Sequence, residues 1–151
     1  MFKTAAAVSV LFALSAACSS TATCCKNAPC PNTQAIVLEL AQENADVVRL
    51  SVHAIPPGKS QMIAIASTST EKLGKPSDQE DLDAVSSGQN VVLHEGDNVD
   101  VTVPILAFEG KYTAAVGATM KAADQQAGVE AALVLAAKIE TRMMADIKRQ
   151  K

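Results

Sequence analysis

From Val48 to Ala54 apolar and polar residues take turns: Val48, Leu50, Val52 and Ala54 alternate with Arg49, Ser51 and His53. A period of two marks a half-buried strand. The same period runs from Val99 to Ile105, where Val99, Val101, Val103 and Ile105 alternate with Asp100, Thr102 and Pro104. Pro56-Pro57-Gly58-Lys59 is a turn, so the apolar run Met62–Ala66 is predicted to fold back on the first strand as a hairpin. Val91–Leu93 and Tyr112–Thr119 read as two further strands, with turns at Glu95–Asn98 and Glu109–Lys111. Helical spacing appears in two places. Ile36, Val37, Leu40 and Ala41 follow a cap at Asn32 or Thr33. From Ala122 onward, Val129, Ala132, Leu133, Ala136, Ile139, Met143 and Ile147 form one apolar stripe. After the polar stretch 67–77, Ser77 and Glu80 have capping-box spacing. They predict a short helix from Asp78 to Ser86 that turns Leu82 and Val85 inward and ends at Gly88. The order is helix, two strands, short helix, three strands, helix. It implies an α+β fold: a five-stranded antiparallel sheet with N-terminal and long C-terminal helices packed mainly on one face.

The leading segment has a different character. Met1-Phe2-Lys3, the apolar run Ala5–Leu14 and the small residues Ser15-Ala16-Ala17 before Cys18 have the layout of a secretory signal peptide. A bilayer-spanning helix needs roughly 20 apolar residues, more than this run supplies. The expected organisation is a signal peptide over 1–17, a Cys-rich tether over 18–32 and one domain over 33–151. Ser-Ala-Ala-Cys resembles the lipobox of bacterial lipoproteins, with Ser15 in place of the usual Leu. That resemblance implies acylation at Cys18, contact with the membrane through that lipid anchor alone, and a periplasmic address. Cleavage after Ala17 with release into the periplasm is the competing route.

Removing residues 1–17 takes away Lys3 alone among the charged groups, leaving 12 basic against 16 acidic side chains and a net charge of −4. Nucleic acid is excluded as a partner, because phosphate binding needs clustered Lys and Arg. The chain has no Trp and one Tyr, which argues against a sugar-stacking cleft. The four cysteines, Cys18, Cys24, Cys25 and Cys30, lie within thirteen residues and outside the predicted core. In an oxidising compartment Cys30 would close a small loop with Cys24 or Cys25. The other reading of Cys24, Cys25 and Cys30 is a soft-metal site, since thiolates select such ions.

Three segments carry a family likeness: Ala64–Ser67 ahead of Leu73-Gly74-Lys75-Pro76-Ser77-Asp78, then Val99–Ile105, then Gly110-Lys111 leading to Ala115-Val116-Gly117. Together they resemble PAS-like extracytoplasmic sensor domains of the single-Cache kind. The resemblance implies a small ligand held between the sheet and the loop segment. It departs from the sensor pattern in showing no second membrane segment and no output module, so the expected function is binding or presenting a ligand to another envelope protein.

No GxSxG, P-loop, HExxH or dinucleotide fingerprint is present. With no visible nucleophile and base pair, the chain is expected not to be an enzyme, and no cofactor is indicated. His53 and His94 are either solvent-exposed or part of a pocket with Asp100 and Tyr112. In the pocket reading, Arg49, Ser51 and His53 would receive a carboxylate and Asp100 an amine. Glu80, Asp81 and Asp83 read as a solvated acidic face at a helix start. The stripe of the last helix suggests a homodimer packed helix on helix.

Overall fold

The computed structural model describes the backbone of residues 28–108 and 111–149 and the side chains of 28–106 and 113–146. Helix α1 (Pro31–Glu43) leads into β1 (Val47–Ala54) and β2 (Ile63–Ser67), followed by a 3-10 turn at Thr70–Lys72. Helix α2 (Gln79–Ser87) precedes β3 (Val91–Glu95), β4 (Asn98–Phe108) and β5 (Lys111–Lys121), and α3 (Gln125–Arg149) ends the fold. The five strands form one antiparallel sheet in the order β2-β1-β5-β4-β3. The expected fold class is therefore the one observed.

The alternating residues divide the sheet into two unlike faces. Leu50 and Val52 on β1, Val101, Val103 and Ile105 on β4, and Val116, Ala118 and Met120 on β5 form the apolar face. They pack with Ile36, Val37 and Leu40 of α1 and with Ala132, Leu135, Ala136 and Ile139 of α3. Burial of these side chains, about 1.5–3 kcal/mol for each large one, is the main force holding the helices to the sheet. The opposite face carries Arg49, Ser51, His53, Asp100, Thr102 and Thr119, and among the described residues α2 with its approach loop lies over it. Residues 74–77 extend the sheet edge: Gly74 donates to the Ala64 carbonyl at 2.9 Å, Ala64 to Lys75 at 3.0 Å and Ser77 to Met62 at 3.0 Å. Gly74 takes φ 74°, open to glycine without strain.

Several local expectations shift. The cap of α1 is Cys30, two or three residues before the expected Asn32 or Thr33, with Pro31 in the first turn, where a missing N–H costs nothing. Cys30, placed in the tether by sequence, is 4% exposed and belongs to the core. Its sulfur accepts the Thr33 hydroxyl at 3.4 Å. Cys18, Cys24 and Cys25 lie outside the described residues. The capping box of α2 is Asp78 with Asp81, one residue beyond Ser77 with Glu80. A one-residue slip turns a helix by 100°. It carries Leu82 out to 43% exposure and brings Asp81 and Ala84 inward. In α3 the inward residue is Leu135, while Leu133 is exposed. Among the described residues no helix is long and apolar enough to cross a membrane.

Candidate functional site

The polar face of the sheet is closed by α2, and the side chains between them are charged or hydroxylated. Ser51, His53, Asp81, Asp100, Thr102 and Thr119 are all buried. Burying this many polar groups is costly unless each is paired, and here the pairing is specific. His53 Nδ1 lies 2.8 Å from Ser77 Oγ and 3.0 Å from Asp81 Oδ2, and its Nε2 lies 3.0 Å from Ser51 Oγ. The same Asp81 oxygen accepts the Asp78 backbone N–H at 3.2 Å. One carboxylate thus caps α2 and ties it to the sheet. Thr119 donates its hydroxyl to Asp100 Oδ1 at 2.8 Å. Asp100 Oδ2 faces Arg49 at 3.8 Å, beyond hydrogen-bond reach. Arg49 also meets Glu95 at 3.3 Å.

Ser51, His53, Asp81, Asp100 and Thr102 line a cavity of about 20 Å3, with room for one water molecule. Arg49, Lys72, Asp78 and Glu80 stand at its margin, and Gly117 forms part of its wall. Lys72 is engaged with Asp78 at 3.1 Å. Four carboxylates face two fixed cations here, so the free cavity is acidic. Burial pushes the Asp100 carboxyl above its usual range, against the pull of the Thr119 hydroxyl, and the Glu95 charge adds to the rise. Because the folded value is raised, its contribution to stability is complete below the ordinary carboxylate range. It is lost as pH climbs through the raised value. Asp100→Asn keeps the acceptor for Thr119 and removes the titration. Its melting temperature at neutral pH should exceed that of the parent, and its stability should fall less between acid and neutral pH. Equal profiles for the two proteins would contradict the burden assigned to this carboxylate.

Of the residues anticipated for a ligand, Arg49, His53 and Asp100 meet in this cavity. Tyr112 pairs with Leu106 through the backbone of β5, and its side chain lies outside the described residues. His94 is exposed and bonded to Gln125 at 3.1 Å, apart from the cavity. Asp81, expected on a solvated face, is 4% exposed and central to the site. Its signal was available in the second capping-box register. Among the described residues no group of three His, Cys, Asp or Glu side chains could hold a metal ion. Cys24 and Cys25 of the alternative metal site lie outside them, and Cys30 is packed in the core.

No protein family model matches this chain, and none of the curated proteins does. Solved structures do resemble it. The type II free methionine-R-sulfoxide reductase from Thermoplasma acidophilum aligns with a TM-score of 0.56 at 14% identity, over 78% of this chain and 91% of that one. The GAF domain of the Acinetobacter phosphoenolpyruvate-protein phosphotransferase aligns with a TM-score of 0.52 at 17% identity, over 75% and 80%. A GAF domain/HD domain protein from Geobacter sulfurreducens aligns with a TM-score of 0.52 at 8% identity, over 79% and 94%. The fold is GAF-like, within the PAS-like class of sheet anticipated from sequence. At these identities the likeness concerns the fold alone.

Proposed function

We propose that this chain is a sensor-like module that binds a small, amine-bearing molecule on the polar face of its sheet. It works in the bacterial envelope after removal of residues 1–17 and acylation at Cys18. The single observation that carries the ligand class is Asp100. It is a buried carboxylate with one oxygen satisfied by Thr119 and the other turned, without a hydrogen bond, toward an acidic cavity. An ammonium group supplies the missing donor and the compensating charge. A carboxylate ligand would have to pull Arg49 away from Glu95 and Asp100 first. The GAF-like fold and the Cache-like segments at 64–78, 99–105 and 110–117 support the sensor reading. Asp81 and His53 hold α2 closed over the site, so entry of anything larger than water requires α2 to lift.

The test is native mass spectrometry of protein extracted from the membrane fraction, joined to a thermal-shift series of small amines and carboxylates. The expected results are a mass matching the acylated chain from Cys18, and stabilisation by an amine that disappears in Asp100→Asn. A full-length mass starting at Met1 would overturn the envelope reading. Stabilisation by carboxylates alone, or by nothing in the series, would overturn the ligand class.

A further inference from the structure

Ser51, His53 and Asp81 stand in a line inside the cavity. Asp81 Oδ2 is 3.0 Å from His53 Nδ1, and His53 Nε2 is 3.0 Å from Ser51 Oγ. All three residues are buried, Ser51 at 5%, His53 at 7% and Asp81 at 4% exposure. A carboxylate beside Nδ1 holds the imidazole proton there, with Ser77 Oγ accepting a share of it. Nε2 is then left as an acceptor for the Ser51 hydroxyl. This is the order of orienting acid, base and nucleophile that activates a serine. From these distances we propose that Ser51 is a nucleophile toward esters of short acyl groups, with His53 as its general base and Asp81 as the positioning residue.

One feature of the surroundings favours the assignment, and two others have to rearrange. Ser51 pairs across the sheet with Gly117, and a Cβ at that position would stand 3.1 Å from Ser51 Oγ. A glycine there leaves the approach to the hydroxyl clear. Arg49, two residues before Ser51 on the same strand face, would meet a developing oxyanion only after leaving Glu95 and Asp100. An ester enters only when α2 lifts, and the relay is complete once α2 has closed again and returned Asp81 to His53. In the acylation step Ser51 Oγ attacks the ester carbonyl carbon and its proton passes to His53 Nε2. The C–O bond to the alcohol then breaks, and His53 returns the proton to the departing alkoxide. A water molecule reverses the sequence: His53 takes its proton, its oxygen attacks the acyl carbon, Ser51 regains the proton, and the carboxylic acid leaves.

The inference rests on the same cavity admitting small molecules, and its test separates the two readings. The folded protein is treated with methanesulfonyl fluoride, where the Oγ–S bond forms, fluoride leaves and the proton goes to His53. In parallel, release of p-nitrophenolate from p-nitrophenyl acetate is followed. The expected result is a single adduct on the peptide carrying Ser51. Ser51→Ala should lose it entirely, and His53→Gln or Asp81→Asn should form it at least 100-fold more slowly, on the scale of other serine relays. Adduct formation in the parent protein should also slow as pH is lowered, since the relay works by general-base transfer of the Ser51 proton. The charged groups around the His53 imidazole are Arg49 on its own strand, Asp100 on β4, Lys72 of the 3-10 turn, and Asp78, Glu80 and Asp81 at the start of α2. The pH profile needs no variant, so it keeps the proposal open to refutation should the substitutions unfold the chain. An unlabelled Ser51, a label placed elsewhere, or a rate indifferent to both His53→Gln and pH would overturn it. If an amine stabilises the protein while Ser51 stays unlabelled, the binding function stands and the serine chemistry falls.

Discussion

Asp81→Ala is expected to cost about 2–4 kcal/mol of stability, the loss of a helix cap added to an unpaired buried partner. Two connections end with this one side chain. The Asp78 backbone N–H loses its acceptor, and His53 Nδ1 loses its carboxylate. Little else holds α2 down. Its inward residues are Asp81 and Ala84, and Leu82 faces solvent. An apolar helix would stay in place after losing one polar contact, whereas α2 has almost no apolar surface to fall back on. The effect should therefore be local as well as global. Amide exchange across Gln79–Ser87 should quicken far more than exchange in β4 and β5, which are anchored by α3 on the other face. A variant that melts earlier with uniform exchange throughout would show that α2 is not separately tethered. A stability loss under about 0.5 kcal/mol, the range of ordinary surface substitutions, would remove Asp81 from its structural part altogether.

The same residue shows where sequence reasoning succeeds and where it stops. The strands were legible because a period of two leaves few alternatives, and Arg49, His53 and Asp100 were legible as site residues because each occupies the polar phase of its strand. Chain order could not reveal that β5 inserts between β1 and β4. That insertion is what puts Gly117 against Ser51 and Thr119 against Asp100. The register of α2 was ambiguous in a different way. Ser77 with Glu80 and Asp78 with Asp81 satisfy one and the same spacing rule, and tertiary contact with His53 favours the second. Cys30 belongs with these cases. A cysteine among Pro, Ala and Asn reads as tether, yet Cys30 lies in the core where α1 seats against β2 and its N–H donates to the Ile65 carbonyl at 2.7 Å. The Ser51 and His53 pairing needed no long-range information, since residues i and i+2 on a strand share a face. What sequence lacked was the third member that turns two neighbours into a relay.

Gly128→Ala is expected to destabilise the protein by about 1–3 kcal/mol, the range for overpacking a filled core. Two effects oppose each other at this position. Alanine is about 1 kcal/mol better than glycine inside a helix, so on propensity alone the substitution should stabilise α3. The geometry decides against it. A Cβ on Gly128 would sit 2.9 Å from Val99 Cβ and 3.1 and 3.2 Å from its two methyl groups. Val99 is 5% exposed, and the atom nearest the added methyl is its Cβ, which no rotamer change can move aside. The helix would have to lift, and Ala132, Leu135, Ala136 and Ile139 would lose contact with the sheet together. Glycine is thus retained for the close approach of α3 to β4. The coupling can be measured. In a Val99→Ala background two of the three crowding atoms are gone, and Gly128→Ala should cost less than it does alone, giving a favourable interaction energy in a double-mutant cycle. Strict additivity of the two substitutions, or a Gly128→Ala variant more stable than the parent, would mean that the helix seats without the space this glycine leaves.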